Sequence, residues 1–114
     1  MAAQLPRTAR IDMYECETRE YAHQLNRECD IATYQANQSI QALGQRLEDF
    51  LAWLYDGTTF SNEEKVLRGR VVLERHDRIL RMKKEILRLT LNTLQQEYLL
   101  ACDILAQRYA IDLP

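Results

Sequence analysis

One strong turn signal, Asp56-Gly57-Thr58-Thr59-Phe60, interrupts a chain of 114 residues that holds only three glycines and two prolines. A β-sandwich or barrel needs a turn signal about every 8–12 residues, which this chain cannot supply. At 46% apolar and 28% charged residues, the composition is that of a folded domain rather than a disordered chain. Long helices on either side of the turn are what remain.

Their periodicity can be read residue by residue. Tyr21, Leu25, Cys29, Ala32, Ala36, Ile40, Leu43, Leu47, Leu51 and Leu54 recur at steps of three and four. This is an eleven-residue repeat, which favours a straight or slightly right-handed packing stripe. Ile11, Tyr14 and Thr18 extend the stripe backwards, and the spacing predicts a first helix over about 8–55. Gly44 and Asn37-Gln38-Ser39 are its weak points, where helix propensity drops without forcing a stop. After a turn over 56–61, Ser61 followed three residues on by Glu64 reads as a capping box. A second helix is therefore expected over about 62–110. Its leading column is Val66, Leu73, Leu80, Leu87, Leu94 and Ala101, a seven-residue repeat of the kind that bundles and coiled coils use. Val72, Ile79 and Ile86 stand beside it, and Leu91, Tyr98 and Leu105 widen the stripe further on. Glu64–Arg68, Glu74–Arg78 and Asp77–Arg81 have the spacing and order of favourable helix ion pairs.

Two helices of similar length joined by a short turn make an all-α, long antiparallel helical hairpin. Pairing Leu47 with Leu73, Ile40 with Leu80, Ala32 with Leu87, Leu25 with Leu94 and Tyr21 with Tyr98 keeps a near-constant register. Such a hairpin buries one stripe per helix and leaves Ile31, Tyr34, Val72, Ile79, Ile86 and Leu89 wet. An apolar face of that extent marks an interface. The leading architecture is thus one helical domain that dimerises into a four-helix bundle. The alternative bends the helices near 37–44 and 90–93 into a monomer of shorter pieces.

Candidate chemistry is sparse. Glu20-Tyr21-Ala22-His23 has the E-x-x-H spacing used by di-iron bundle sites, with Cys16 on the same face. A complete site needs a second such motif, and Leu73, not a glutamate, stands three residues before His76. A solvated helix face accounts for the motif better. Cys16 and Cys102 fall at one level of the expected register, where two small core residues account for them better than a redox-sensing pair. No Gly-rich phosphate loop, G-x-S-x-G or H-E-x-x-H occurs. The sequence therefore predicts no catalytic residues, cofactor or metal.

Charge is distributed unevenly. Residues 1–60 carry net −4, 61–90 net +4 and 91–114 net −2. Arg68, Arg75, Arg78, Arg81, Lys84 and Arg88 could contact a polyanion, but no aromatics interleave with them for base stacking. The chain shows no membrane span and no apolar leader near Met1, and its odd cysteine count is not a disulfide framework. A reduced cytoplasmic setting is expected. The function that best suits an excess apolar face without chemistry is a non-enzymatic regulatory interaction module. It would be of adaptor, anti-activator or chaperone type, covering an apolar surface of another protein. Trp53 at the tip and Val72, Ile79, Ile86 and Leu89 on the second helix are the interface candidates. A nucleic-acid-binding regulator using 65–88 is the alternative, and a structural assembly subunit the third.

Overall fold

The computed structural model describes residues 5–112 as two α-helices, α1 (Arg7–Asp56) and α2 (Asn62–Arg108), with no strand among the described residues. The all-α helical hairpin expected from the sequence is the fold observed, with helix ends within two residues of those expected. α1 runs through Gly44 and 37–39 without a break, and α2 runs through 90–93 likewise. The described chain is thus two continuous helices and not four or more shorter ones.

Local chemistry explains the boundaries. Pro6, which has no N–H to lose, precedes α1, and its carbonyl accepts the Arg10 N–H at 3.0 Å. Ser61 Oγ accepts the Glu64 N–H at 3.2 Å, so Ser61 is the N-cap of α2. Glu63 and Glu64 lie in the first turn, at the positive end of the helix dipole. α1 closes where the Gly57 N–H reaches the Trp53 carbonyl at 3.1 Å. A Cβ on Gly57 would lie 2.8 Å from that oxygen, so the position needs glycine for close approach. α2 closes in a Schellman turn. The Ile111 N–H bonds the Ala106 carbonyl at 2.8 Å, and the Ala110 N–H bonds Gln107 at 3.2 Å.

Contacts divide the chain into two units, each containing a stretch of both helices. The first joins residues up to Ala32 with those from Leu89 on. Its core is Leu105, Ala106 and Tyr109, all buried. The Tyr109 hydroxyl donates to Glu17 Oε1 at 2.6 Å, and Arg10 Nη1 donates to the carbonyls of Tyr109 and Ala110 at 3.1 Å each. Tyr21, Leu25, Leu94 and Tyr98 line one hollow, as the expected register requires. The second unit is Thr33–Arg88, which includes the turn. Leu43 and Leu54 are its buried side chains, and Gly69 is buried beneath the Tyr55 phenol. Lys65 Nζ donates to the Tyr55 carbonyl at 3.0 Å, placing a cation on the last turn of α1.

The seven-residue column expected for α2 does not hold at its start. Val66 is 53% exposed and Leu73 43%, whereas Gly69, Val72 and His76 turn inward. The pairing of Leu47 with Leu73 is accordingly replaced: Leu47 shares a groove with Val72, His76 and Ile79. The physical reason is the period. Lys65, His76, Leu87, Tyr98 and Tyr109 stand eleven residues apart, and none of them is exposed. α2 therefore keeps the eleven-residue repeat of α1. The two repeats coincide at Leu80, Leu87 and Leu94 and diverge toward residue 66. Val72 and Ile79, expected to be wet, are half-buried, while Ile31, Tyr34, Ile86 and Leu89 are exposed as expected.

The three expected ion pairs are also replaced. Arg68 lies over the Phe60 ring, 4.0 Å from its centroid, and Arg81 Nε donates to the backbone carbonyl of Asp77. Among the described residues the side-chain ion pairs are Glu85–Arg88 and Glu17–Arg108.

Candidate interaction surface

The five apolar interface candidates fall in three places. Val72 and Ile79 line a groove in the Thr33–Arg88 unit, Trp53 stands exposed near the turn, and Ile86 and Leu89 are exposed on the other side of α2. The groove, of about 320 Å³, is floored by Leu43, Leu47, Phe50, Val72 and Ile79. Arg46, Arg75, His76 and Lys83 complete its lining. Lys83 is held there by a hydrogen bond from its ammonium to Ser39 Oγ. His76 Nδ1 is buried with no hydrogen-bond partner among the described residues, a condition that costs about 1–3 kcal/mol until a polar group pairs with it.

Near the turn, Trp53 meets Phe50 at 5.6 Å between ring centroids and Phe60 edge-on at 6.2 Å. These spacings are those of favourable aromatic pairs. Phe60 in turn carries the Arg68 guanidinium on its face. The aromatic group thus closes the turn and still leaves the indole of Trp53 more than half exposed.

The six basic candidates do not form one patch. Arg75, Arg78, Arg81, Lys84 and Arg88 follow one another at steps of three and four and so wind gradually round α2 rather than keeping to one side. Arg68 is engaged with Phe60, and Arg88 makes two hydrogen bonds to Glu85, at 3.0 and 2.6 Å. That carboxylate is held below its usual range by the hydrogen bonds from Arg88.

The remaining candidates separate likewise. Cys16 is exposed and Cys102 half-buried, and both are free thiols, as is Cys29. Cys16 is thus no core residue. The neighbouring Cys102 thiol pushes the Tyr98 phenol above its ordinary value, with burial adding to the effect. Cys16, Glu20 and His23 all face solvent, and no group of three potential metal ligands occurs among the described residues. No described helix is long and apolar enough to cross a membrane.

No family model, curated protein or solved structure matches this chain.

The sequence concealed the groove because three polar residues, Lys65, His76 and Lys83, occupy inner positions of α2 and interrupt the apolar pattern. Extending the eleven-residue spacing backwards from Tyr109 would have found it.

Proposed function

We propose that this protein is a non-enzymatic interaction module, of adaptor, anti-activator or chaperone type, whose groove takes an acidic amphipathic helix of a partner protein. The observation that carries this reading is the groove itself, apolar across its floor and cationic at Arg46, Arg75 and Lys83. A helix laid in an apolar groove anchors through residues at i, i+3, i+4 and i+7, while flanking charges set specificity and orientation. Glutamates flanking such a leucine row would meet the three cations, and a polar side chain beside them would pair with His76 Nδ1. Trp53 extends the apolar surface toward the turn, where exposed aromatics commonly anchor contacts. The free thiols of Cys16, Cys29 and Cys102 suit a reducing, cytoplasmic setting.

The test is fluorescence anisotropy with a labelled amphipathic peptide carrying a leucine face and glutamate flanks, against a lysine-flanked version. The glutamate peptide should bind, and the lysine peptide should bind at least about tenfold more weakly, a difference of about 1.4 kcal/mol. Val72→Glu in the floor and Arg75→Glu with Lys83→Glu at the rim should each abolish the preference. Equal affinity for both peptides, or no binding of either, sinks the proposal.

A further inference from the structure

From Leu89 to Gln107, α2 contains no basic side chain, and Glu97 and Asp103 are its only charges there. They stand three residues before and three after Leu100, which puts them about 60° to either side of it round the helix. Leu89 and Ile104, eleven residues before Leu100 and four after, point in nearly the same direction as Leu100. All three are between 48% and 60% exposed. Thr93 and Gln96 complete the row, and Leu99 lies at its edge. The stretch is an apolar row with a carboxylate on each flank, the pattern of an acidic amphipathic helix. Neither carboxylate forms an ion pair among the described residues.

The groove of the Thr33–Arg88 unit is its counterpart. Arg46, Arg75 and Lys83 line that groove, and none of them pairs with a carboxylate among the described residues. Arg75 and Lys83 are eight residues apart, roughly 12 Å along α2, and Glu97 and Asp103 are six apart, roughly 9 Å. The long side chains of the cations cover the difference. Other exposed apolar residues suit the groove less well. Val66, Leu67, Val71, Leu73, Met82 and Ile86 stand within 61–90, net +4, and would bring cation against cation. Ile31 and Tyr34 on α1 have Arg27 four residues before Ile31, on the same side of the helix.

We infer that the groove of one copy takes the acidic face of α2, Leu89–Ile104, of a second copy. Leu100 and Ile104 meet the apolar floor, and Glu97 and Asp103 meet the groove cations. Such pairing rests on the groove's being a socket for an acidic helix, as proposed for its function, and names this chain as an occupant. The groove lies in one unit of the chain and the face in the other, so every copy presents one of each. The contact is heterologous, and it repeats from copy to copy until a ring closes. A partner's helix must then displace the chain's own face to enter the groove.

The experiment is sedimentation equilibrium of the full chain and of two double variants, Arg46→Glu with Arg75→Glu and Glu97→Lys with Asp103→Lys, with helicity followed at 222 nm. All four positions are exposed, so helicity should be retained. The wild type should exceed the 13.5 kDa chain mass and lose mass at high salt, as charge pairing demands. Each double variant alone sets like charges together and should fall to one chain mass. An equimolar mixture of the two sets every face against a groove of opposite charge and should associate again. A wild type of single mass overturns the pairing, as do double variants that still associate alone or a mixture that stays at one chain mass. The glutamate-flanked peptide separates this result from the reading of the groove. Its binding to a wild type of single mass leaves the groove a socket for another protein's helix and overturns self-association. Its failure to bind, while the mixture associates, overturns the partner reading and leaves the self-contact standing.

Discussion

Ala110 holds a left-handed backbone, with φ at 53°. A residue with a Cβ pays about 1–2 kcal/mol in that region, which is why glycine usually occupies the position after a helix. The turn nevertheless forms, because its surroundings hold it from three directions. Ile111 and Ala110 donate the two Schellman hydrogen bonds, and Arg10 Nη1 reaches the Tyr109 and Ala110 carbonyls from α1. Ala110→Gly should therefore raise stability by about 0.5–1 kcal/mol, the steric relief being offset in part by the greater freedom of glycine in the unfolded chain. Urea unfolding measures it. A midpoint equal to or below that of the wild type would show that the left-handed turn is not held in solution. Sequence offers no sign of this residue's role, since alanine is an ordinary helix former and nothing marks Ala110 as the end of α2.

At the scale of the element, α2 begins where its capping chemistry begins. Ser61→Ala removes the side-chain acceptor for the Glu64 N–H and should cost about 1 kcal/mol. A melting curve unchanged from the wild type would place the start of α2 elsewhere. The start of α2, the end of α1 and the hairpin were legible because they depend on short-range chemistry: a serine three residues before a glutamate and one Gly-containing turn. The inner face of α1 was legible for a related reason, its apolar residues being nearly uninterrupted from Leu25 to Leu54. The inner face of α2 near its start was not. Gly69 is there because the Tyr55 phenol occupies the space a side chain would need, and Lys65 and Lys83 are there because each ammonium finds an oxygen of α1, the Tyr55 carbonyl and Ser39 Oγ. These are tertiary reasons, and polarity alone reads all three as surface. The effect falls on Val72 and Ile79, which the sequence reading leaves wet on an outer face and which instead are half-buried in the lining of the groove.

For the whole molecule, alkaline pH should be a selective stress. The Tyr14, Tyr98 and Tyr109 phenols are all pushed above the ordinary value of 10.0. For Tyr109 the main cause is the hydrogen bond its hydroxyl donates to Glu17, which favours the protonated phenol. A folded-state value above the unfolded one means that the contribution is fully present below pH 10 and is lost as pH rises through the folded value. The stability advantage of the wild type over Tyr109→Phe should thus be constant from about pH 7 to 9 and shrink above about pH 10. Thermal melts across that range measure it, and a gap that stays constant to pH 11 would mean that Tyr109 does not hold its proton in the fold.

The last turn of each helix is met by a cation from one turn inside the other: Lys65 on the Tyr55 carbonyl, Arg10 on the carbonyls of Tyr109 and Ala110. Each clasp fixes a register within its own unit, Lys65 in Thr33–Arg88 and Arg10 in the other. A residue inserted in either helix just before its cation would turn that cation by about 100° away from the carbonyl it meets, so each clasp penalises a slip that the apolar stripe beside it would also feel.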